Sequence, residues 1–366
     1  MPLRILISAG GTGGGVYPAL AVIDALGERA DVLWVGARGG MEEGLVRRHG
    51  LACEAISAGG LHGVVLGRLP GNLWRTLRGI WETKSLIGNF DPEVLFFTGG
   101  YVGGPAAIAG WRRPKVTFVP DIEPALAQRL ISRVADRICV PAEEARRYYR
   151  DPSKVKVTGY PTRFEELDLS KKEASARLGL TAEAPVLLVM GGSRGARSIN
   201  RAIWSSLEDL LELAQVIHVI GERDWPLFEE EVGMPAGEFG YRYHPHAYLH
   251  ETMADALASA DLAVSRAGAS TLGEYPLFGL PAVLVPYPHA WRYQKVNAAY
   301  LAKRDAAVVM ADERLETDLL PLLENLLSQP DRLEEMSEAA VSLTRTGAAE
   351  RIAEELLAVA GRRQKA

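Results

Sequence analysis

Apolar positions along this chain follow two rhythms. Short unbroken apolar runs alternate with longer stretches in which apolar residues return every three or four positions. The first rhythm marks buried strands and the second amphipathic helices. Runs at 4–8, 32–35, 94–97, 116–119 and 137–140 predict strands, with weaker ones at 53–56 and 155–157. Between them, helices are predicted over 17–26, 41–49, 105–110, 125–132 and 142–149. Regular alternation of this kind implies a parallel sheet covered by helices.

A charged, helix-forming stretch at 165–184 is composed as a connection between domains. The pattern then restarts. Strands are predicted at 185–190, 216–220, 261–265 and 306–309, and helices over 198–213, 292–303, 315–327, 332–343 and 348–359. Each half opens with strand, glycine-rich turn and helix. The expected fold class is therefore α/β, with two doubly wound Rossmann-like domains facing a cleft. The expected boundaries are 1–163 and 164–345, with 346–366 as a final helix packing back on the first domain. Ligands of such sheets gather at the carboxyl ends of the strands, and a cleft between two domains suits two substrates.

Length agrees with this division, since 366 residues suggest two domains. A hydrophobic share of 48% and a charged share of 24% are ordinary for a soluble protein. The net charge of -5 gives no global basicity, so no nucleic-acid partner is expected. Cys53 and Cys139 lie far apart, match no metal spacing and read as small core residues in a reducing compartment. Residues 1–8 lack the basic and apolar regions of a signal peptide. The most apolar span, 94–111, is interrupted by Gly99, Gly100, Gly103, Gly104 and Pro105, and reads as strand, turn and helix rather than a membrane span. A cytoplasmic location is expected, free or bound to a membrane from that side.

The glycine turns do not fit a dinucleotide. Gly11 and Gly13 place Val16 at the sixth position of that fingerprint, Gly191 places Ser193 at the third, and Arg38 rather than an acid follows the second strand. There is no nucleotide-triphosphate loop and no cluster with metal spacing, so neither cofactor nor metal is expected. What remains is two glycine turns at helix starts, whose N–H groups bind phosphate oxygens unaided. Ser193 adds a hydroxyl, and Arg163 at the domain junction suits a diphosphate. Taken singly, each reads more readily as a plain tight turn. The stretch 266–289 concentrates the chemistry. Gly268, Ala269 and Ser270 leave little bulk at a strand end, and Glu274, about one turn into the following helix, suits a vicinal diol such as a ribose. The plain alternative is a helix start with a solvated glutamate.

Four segments together are specific. Gly10 to Ala21, Gly99 to Pro105, Gly191 to Ala196, and Arg266 to Glu274 with Val285 to His289 resemble the MurG family over nearly the whole chain and in order. That family is the cytoplasmic N-acetylglucosaminyltransferase that makes lipid II, a peptidoglycan precursor serving cell-wall growth, division and shape. The resemblance implies the GT-B fold and an inverting, metal-independent transfer from UDP-N-acetylglucosamine to a polyprenyl-diphospho-muramyl pentapeptide. Residues 1–163 would receive the acceptor and 164–345 the UDP-sugar. It also implies residue roles. Glu274 matches the ribose carboxylate, Ser193 the α-phosphate residue, and Ala269, Ser270 and Thr271 the turn on the nucleotide sugar. Leu249 lies where a backbone group reads uracil. Gln294 matches one of two glutamines on the sugar hydroxyls. Thr12, Gly13, Gly14 and Arg163 match phosphate-side and junction residues, and Tyr101 falls on the acceptor side.

The acceptor side departs from the family. Its histidine after the first glycine turn is Gly15 here, its His-Glu-Gln-Asn segment is Phe118 to Asp121, and its first glutamine is Tyr293. An inverting transfer needs a base near the attacking hydroxyl. Asp121 is the expected substitute, or else a helix-cap or turn carboxylate. Two further functions stay open: a related GT-B transferase with another lipid acceptor, and a diverged non-catalytic UDP-sugar-binding protein.

Residues 66–86 carry Leu69, Leu73, Trp74, Leu77, Ile80 and Trp81 at helical spacing, accompanied by Arg68, Arg75, Arg78 and Lys84. Such a stretch suits a helix lying on an anionic membrane surface, on the cytoplasmic face. A core helix with a solvated basic side has the same pattern.

Overall fold

The computed structural model describes residues 2–10, 13–40, 42–59, 69–100, 102–192, 195–289 and 292–363, without the side chains of 69, 70, 73, 362 and 363. The chain divides into two compact units, Met1–Arg163 with Arg345–Ala366, and Phe164–Thr344.

The first unit is built on seven strands: β1 (Leu3–Ser8), β2 (Ala30–Ala37), β3 (Ala52–Ile56), β4 (Val94–Phe97), β5 (Lys115–Phe118), β6 (Arg137–Val140) and β7 (Val155–Val157). They lie in the order β3-β2-β1-β4-β5-β6-β7 and pair in parallel throughout. All four side chains of β4 are fully buried, as expected for a central strand covered on both faces. The connecting helices are α1 (Gly13–Leu26), α2 (Glu42–Arg48), α3 (Leu69–Phe90), α4 (Gly103–Ala109) and α5 (Leu126–Val134).

Helix α1 starts at Gly13, before the expected Tyr17, so Pro18 falls inside it. Proline has no N–H to give the carbonyl four residues back. The Tyr160 hydroxyl donates to that carbonyl, on Gly14, at 3.4 Å. The expected helix at 142–149 is a 3-10 segment, Glu143–Tyr148.

The second unit contains α6 (Lys171–Arg177), β8 (Val186–Met190), α7 (Arg197–Ser205), α8 (Leu207–Leu213), β9 (Gln215–Val219), α9 (Trp225–Leu227), β10 (Tyr243–His246), α10 (Met253–Ser259), β11 (Leu262–Ser265), α11 (Glu274–Phe278), β12 (Ala282–Leu284), α12 (Tyr293–Ala302), β13 (Ala307–Val309), α13 (Leu315–Leu327) and α14 (Pro330–Val341). Its six parallel strands run β10-β9-β8-β11-β12-β13. Helix α6 opens with a capping box, in which the Ser170 hydroxyl accepts from the Glu173 N–H.

The single helix expected over 198–213 is two. Ser206 leaves helical geometry at φ -123 and ψ 20, and the Ser205 hydroxyl turns back to the Ala202 carbonyl at 3.0 Å. Serine side chains compete in this way with the helix's own ladder. Strand β10 escapes the apolar pattern because it contains Pro245 between two histidines. It is an edge strand, where proline costs no ladder bond.

The last helix, α15 (Ala348–Arg363), belongs to the first unit. Arg351 donates to the Thr158 carbonyl through Nε at 2.9 Å and Nη2 at 2.6 Å, and Arg137 pairs with Glu355 at 2.8 Å. Gly159, at φ +89, allows this return, since a Cβ there would stand 2.9 Å from Arg345 Cβ.

Candidate functional site

The strand order of the second unit reverses between β8 and β11. The loops leaving those two carboxyl ends therefore diverge and leave room for a ligand between them. The loop after β8 is the glycine turn. A Cβ on Gly191 would lie 2.2 Å from the Ala196 nitrogen, and one on Gly195 would lie 2.5 Å from the Ile220 carbonyl oxygen. Gly192 holds φ +81, and among the described residues nothing lies within 4 Å of a Cβ there, so its outer side is open backbone. Helix α7 begins directly afterwards, with its first N–H groups at the turn.

Across the reversal, Gly268 is equally open, with nothing among the described residues within 4 Å of a Cβ. Thr271 closes the turn by donating to the Gly268 carbonyl from Oγ1 at 2.7 Å and from its N–H at 3.2 Å. Thr271 is buried, while Ala269 and Ser270 stay half-buried. The helix expected here starts as a 3-10 turn, Ala269–Leu272, and breaks at Gly273. Glu274 thus stands at the first position of the short α11 rather than one turn inside a helix, and it is half-buried.

Three bonds stiffen this side. The Tyr275 hydroxyl, kept protonated by burial, donates to Ser265 Oγ at 2.7 Å. Asn297 Nδ2 donates to the Ala267 carbonyl at 3.2 Å. Gln294 Oε1 accepts the Tyr287 N–H at 2.8 Å, so the remaining donor capacity of that amide is its NH2 end. Leu249 follows β10 with its side chain in the core, which leaves only its backbone for a ligand.

In the first unit the order reverses between β1 and β4. A Cβ on Gly100 would stand 2.7 Å from the Gly10 carbonyl oxygen, so these two loops touch backbone to backbone. Thr98 Oγ1 donates to the Gly15 carbonyl at 2.5 Å. A Cβ on Gly15 would meet only ordinary contacts, the nearest at 3.5 Å. Gly13 and Gly14 open α1, and the Arg163 guanidinium stacks 4.3 Å from the centre of the Tyr17 ring. Asp121 follows β5 and is half-buried. Burial first, and the Asp121 charge second, push the Tyr149 hydroxyl well above its usual range. That hydroxyl is buried and has no hydrogen-bond partner among the described residues. Nearby in sequence, the fully buried Glu123 accepts from Arg129 at 2.6 Å.

Residues 5–140 match the glycosyltransferase family 28 N-terminal domain, and residues 186–355 match the glycosyltransferase family 28 C-terminal domain. The UDP-N-acetylglucosamine--N-acetylmuramyl-(pentapeptide) pyrophosphoryl-undecaprenol N-acetylglucosamine transferase of Desulforamulus reducens is 35% identical over 356 residues, covering 94% of this chain and 95% of its own. The protein of the same name from Halalkalibacterium halodurans is 35% identical over 361 residues, covering 96% and 98%.

The chain belongs to the MurG family.

It is accordingly a glycosyltransferase. The crystal structure of Acinetobacter baumannii MurG matches with a TM-score of 0.74 at 24% identity, over 98% of this chain and 100% of that one, a likeness that gives the GT-B fold. Of the residues that the family resemblance singles out, Thr12, Arg68, Tyr101 and Ser193 lie outside the described residues, as does the side chain of Leu73. Leu249, Ala269, Ser270, Thr271, Glu274 and Gln294 all follow strand ends of the second sheet. Gly13, Gly14, Asp121 and Arg163 belong to the first unit.

The first unit also carries an apolar surface. Trp74 and Trp81 on α3 are 69% and 74% exposed, and Trp111 just beyond α4 is 70% exposed. Leu77 and Ile108 are exposed with them, and Arg75 and Arg78 flank the tryptophans. Arg78 pairs with Glu82 at 2.9 Å, and Glu82 accepts the Ser57 N–H at 2.6 Å, tying α3 to the end of β3. No helix among the described residues is long and apolar enough to cross a membrane. Family motifs did not flag Trp111, Glu123 or Tyr149. Trp111 had a visible signal, an aromatic beside Arg112 and Arg113.

Proposed function

We propose that this glycosyltransferase moves N-acetylglucosamine from UDP-N-acetylglucosamine to undecaprenyl-diphospho-N-acetylmuramyl pentapeptide. The observation that carries the reading is the 35% identity, across both units, to proteins bearing that activity as their name. The open backbone at Gly192 and Gly268, on either side of one strand-order reversal, supports it.

The donor occupies the second unit. N–H groups of the glycine turn and of α7 receive the diphosphate, with Ser193 at the α-phosphate. Glu274 accepts from the ribose hydroxyls, the Leu249 backbone reads uracil, and the Ala269 to Thr271 turn and Gln294 meet the sugar. The acceptor oxygen bonds to the anomeric carbon as the bond to the UDP oxygen breaks, with inversion. The acceptor's proton passes to Asp121, and UDP leaves with the electron pair, its charge held by N–H donors and without a resident metal.

The acceptor is membrane-borne, so the enzyme works at a membrane surface, and the proposed side is the cytoplasmic face. Trp74, Leu77, Trp81 and Trp111 enter an anionic surface, helped by Arg75 and Arg78. The product feeds cell-wall growth and, with it, cell division and shape. Gly15 in place of the family histidine favours a second reading, a different lipid acceptor on the same donor.

Calorimetric titration with UDP-N-acetylglucosamine tests the donor site. Glu274→Ala is expected to weaken binding by about ten- to a hundred-fold, as lost hydrogen bonds to a charged group imply. Unchanged affinity would contradict the assignment.

A further inference from the structure

A line of buried polar side chains runs through the second unit and ends at the glycine turn. His218 on β9 is fully buried. Its Nδ1 lies 2.9 Å from the Tyr243 hydroxyl, and its Nε2 lies 3.1 Å from Asn200 Oδ1. Asn200 Nδ2 donates to the Ile220 carbonyl at 2.9 Å and to Asp224 Oδ2 at 3.0 Å. Arg197 donates to Asp224 Oδ1 through Nε at 2.9 Å and Nη2 at 2.6 Å.

The direction of every bond follows. Two acceptors on one side of Asn200 require its NH2 there, so Oδ1 faces the ring and Nε2 carries the proton. Burial holds the ring neutral, its pKa pushed down to about 3. Nδ1 is then an acceptor and takes the Tyr243 O–H, whose oxygen takes the Trp204 indole N–H at 3.2 Å. Each member has one orientation that satisfies its neighbours.

The two groups that Asn200 holds are the two that seat the turn. Gly195 lies on the Ile220 carbonyl, where a Cβ would stand 2.5 Å away. Asp224 anchors Arg197, the first residue of α7. If His218 released the Asn200 amide, the seat of the turn would lose its fixed orientation.

We infer that His218 is a positioning residue for the donor diphosphate: through Asn200 it fixes the glycine turn whose N–H groups receive UDP. This rests on the donor site proposed above.

Two substitutions separate the two halves of the line. Glutamine places its amide nitrogen where Nε2 stands and keeps the bond to Asn200. Asparagine reaches only the Nδ1 position and forfeits that bond. Both remove the ring from the same buried place. Steady-state kinetics with UDP-N-acetylglucosamine, alongside thermal unfolding, are the readout. His218→Asn is expected to raise the donor KM about ten-fold, with kcat within about two-fold, because only binding of the diphosphate is disturbed. His218→Gln should restore most of the KM. Tyr243→Phe leaves the Asn200 bond intact and should keep the wild-type KM, which preserves the test if His218→Asn does not fold. Equal KM in the Asn and Gln variants, or a raised KM in Tyr243→Phe, would overturn the inference and leave the donor site standing. Wild-type protein that does not bind UDP-N-acetylglucosamine would overturn both.

Discussion

Arg266 and Asp312 meet at 2.5 Å, joining the end of β11 to the segment after β13. Ser198 bridges them, accepting from Arg266 Nη2 at 2.7 Å and donating to Asp312 at 2.8 Å. Arg266 opens the motif that reads as ligand-facing in the sequence, yet its guanidinium ties three strand-end loops together. Its Nη1 also donates to the Val285 carbonyl at 3.2 Å.

Removing one partner of a pair this enclosed strands the other charge. Asp312→Ala is expected to destabilise the protein by about 3 kcal/mol in urea unfolding. Asp318→Ala breaks the outward-facing Arg314 pair instead and should cost less than about 1 kcal/mol. Equal costs would mean that the Arg266 pair carries no special weight.

His218 gives the fold a pH dependence of known sign. Its pKa falls from 6.5 to about 3 on folding, through burial. Between those values the unfolded chain binds a proton that the folded chain excludes, so stability rises with pH, by about 1.4 kcal/mol per unit for this group. The loss begins as pH drops below about 6.5 and is complete near pH 3. His218→Gln should flatten that part of the stability curve, measured by denaturant unfolding at several pH values. An unchanged slope would place the titration elsewhere.

Trp74, Trp81 and Trp111 are each more than two-thirds exposed, an arrangement that costs solubility unless a surface covers them. Co-sedimentation with vesicles should show stronger binding to anionic than to neutral lipid. Replacing Trp74 and Trp81 by glutamate should weaken it by at least about ten-fold, from the apolar area lost. Equal binding to both lipids would remove the membrane assignment.

Much of the fold is legible where burial alone decides. β4 has four apolar residues, all fully buried, and its limits at 94–97 are those the sequence predicts. α13 likewise spans 315–327 as its leucine spacing predicts. Legibility fails where tertiary context overrides local pattern. β10 is held as an edge strand despite Pro245, and Ser206 splits a periodic helix. At the candidate site, the sequence places Glu274 about one turn into a helix, whereas a 3-10 turn closed by Thr271 puts it at a helix start, a shift that no apolar spacing encodes. The Arg266–Asp312 and His218–Asn200 bonds join residues 46 and 18 positions apart, and no local spacing encodes them.

The central claim is the transfer itself. The most direct measurement follows radiolabelled N-acetylglucosamine from its UDP conjugate to a short-chain lipid I analogue, with Glu274→Ala and Asp121→Ala beside the wild type. Wild-type protein is expected to form the disaccharide product. Glu274→Ala should lose it through donor binding, and Asp121→Ala should lower kcat by about a hundred- to ten-thousand-fold with donor affinity unchanged. Transfer that survives Asp121→Ala would discard that base and keep the enzyme. Wild-type protein that binds the donor but forms no product on the muramyl lipid would contradict the proposed function.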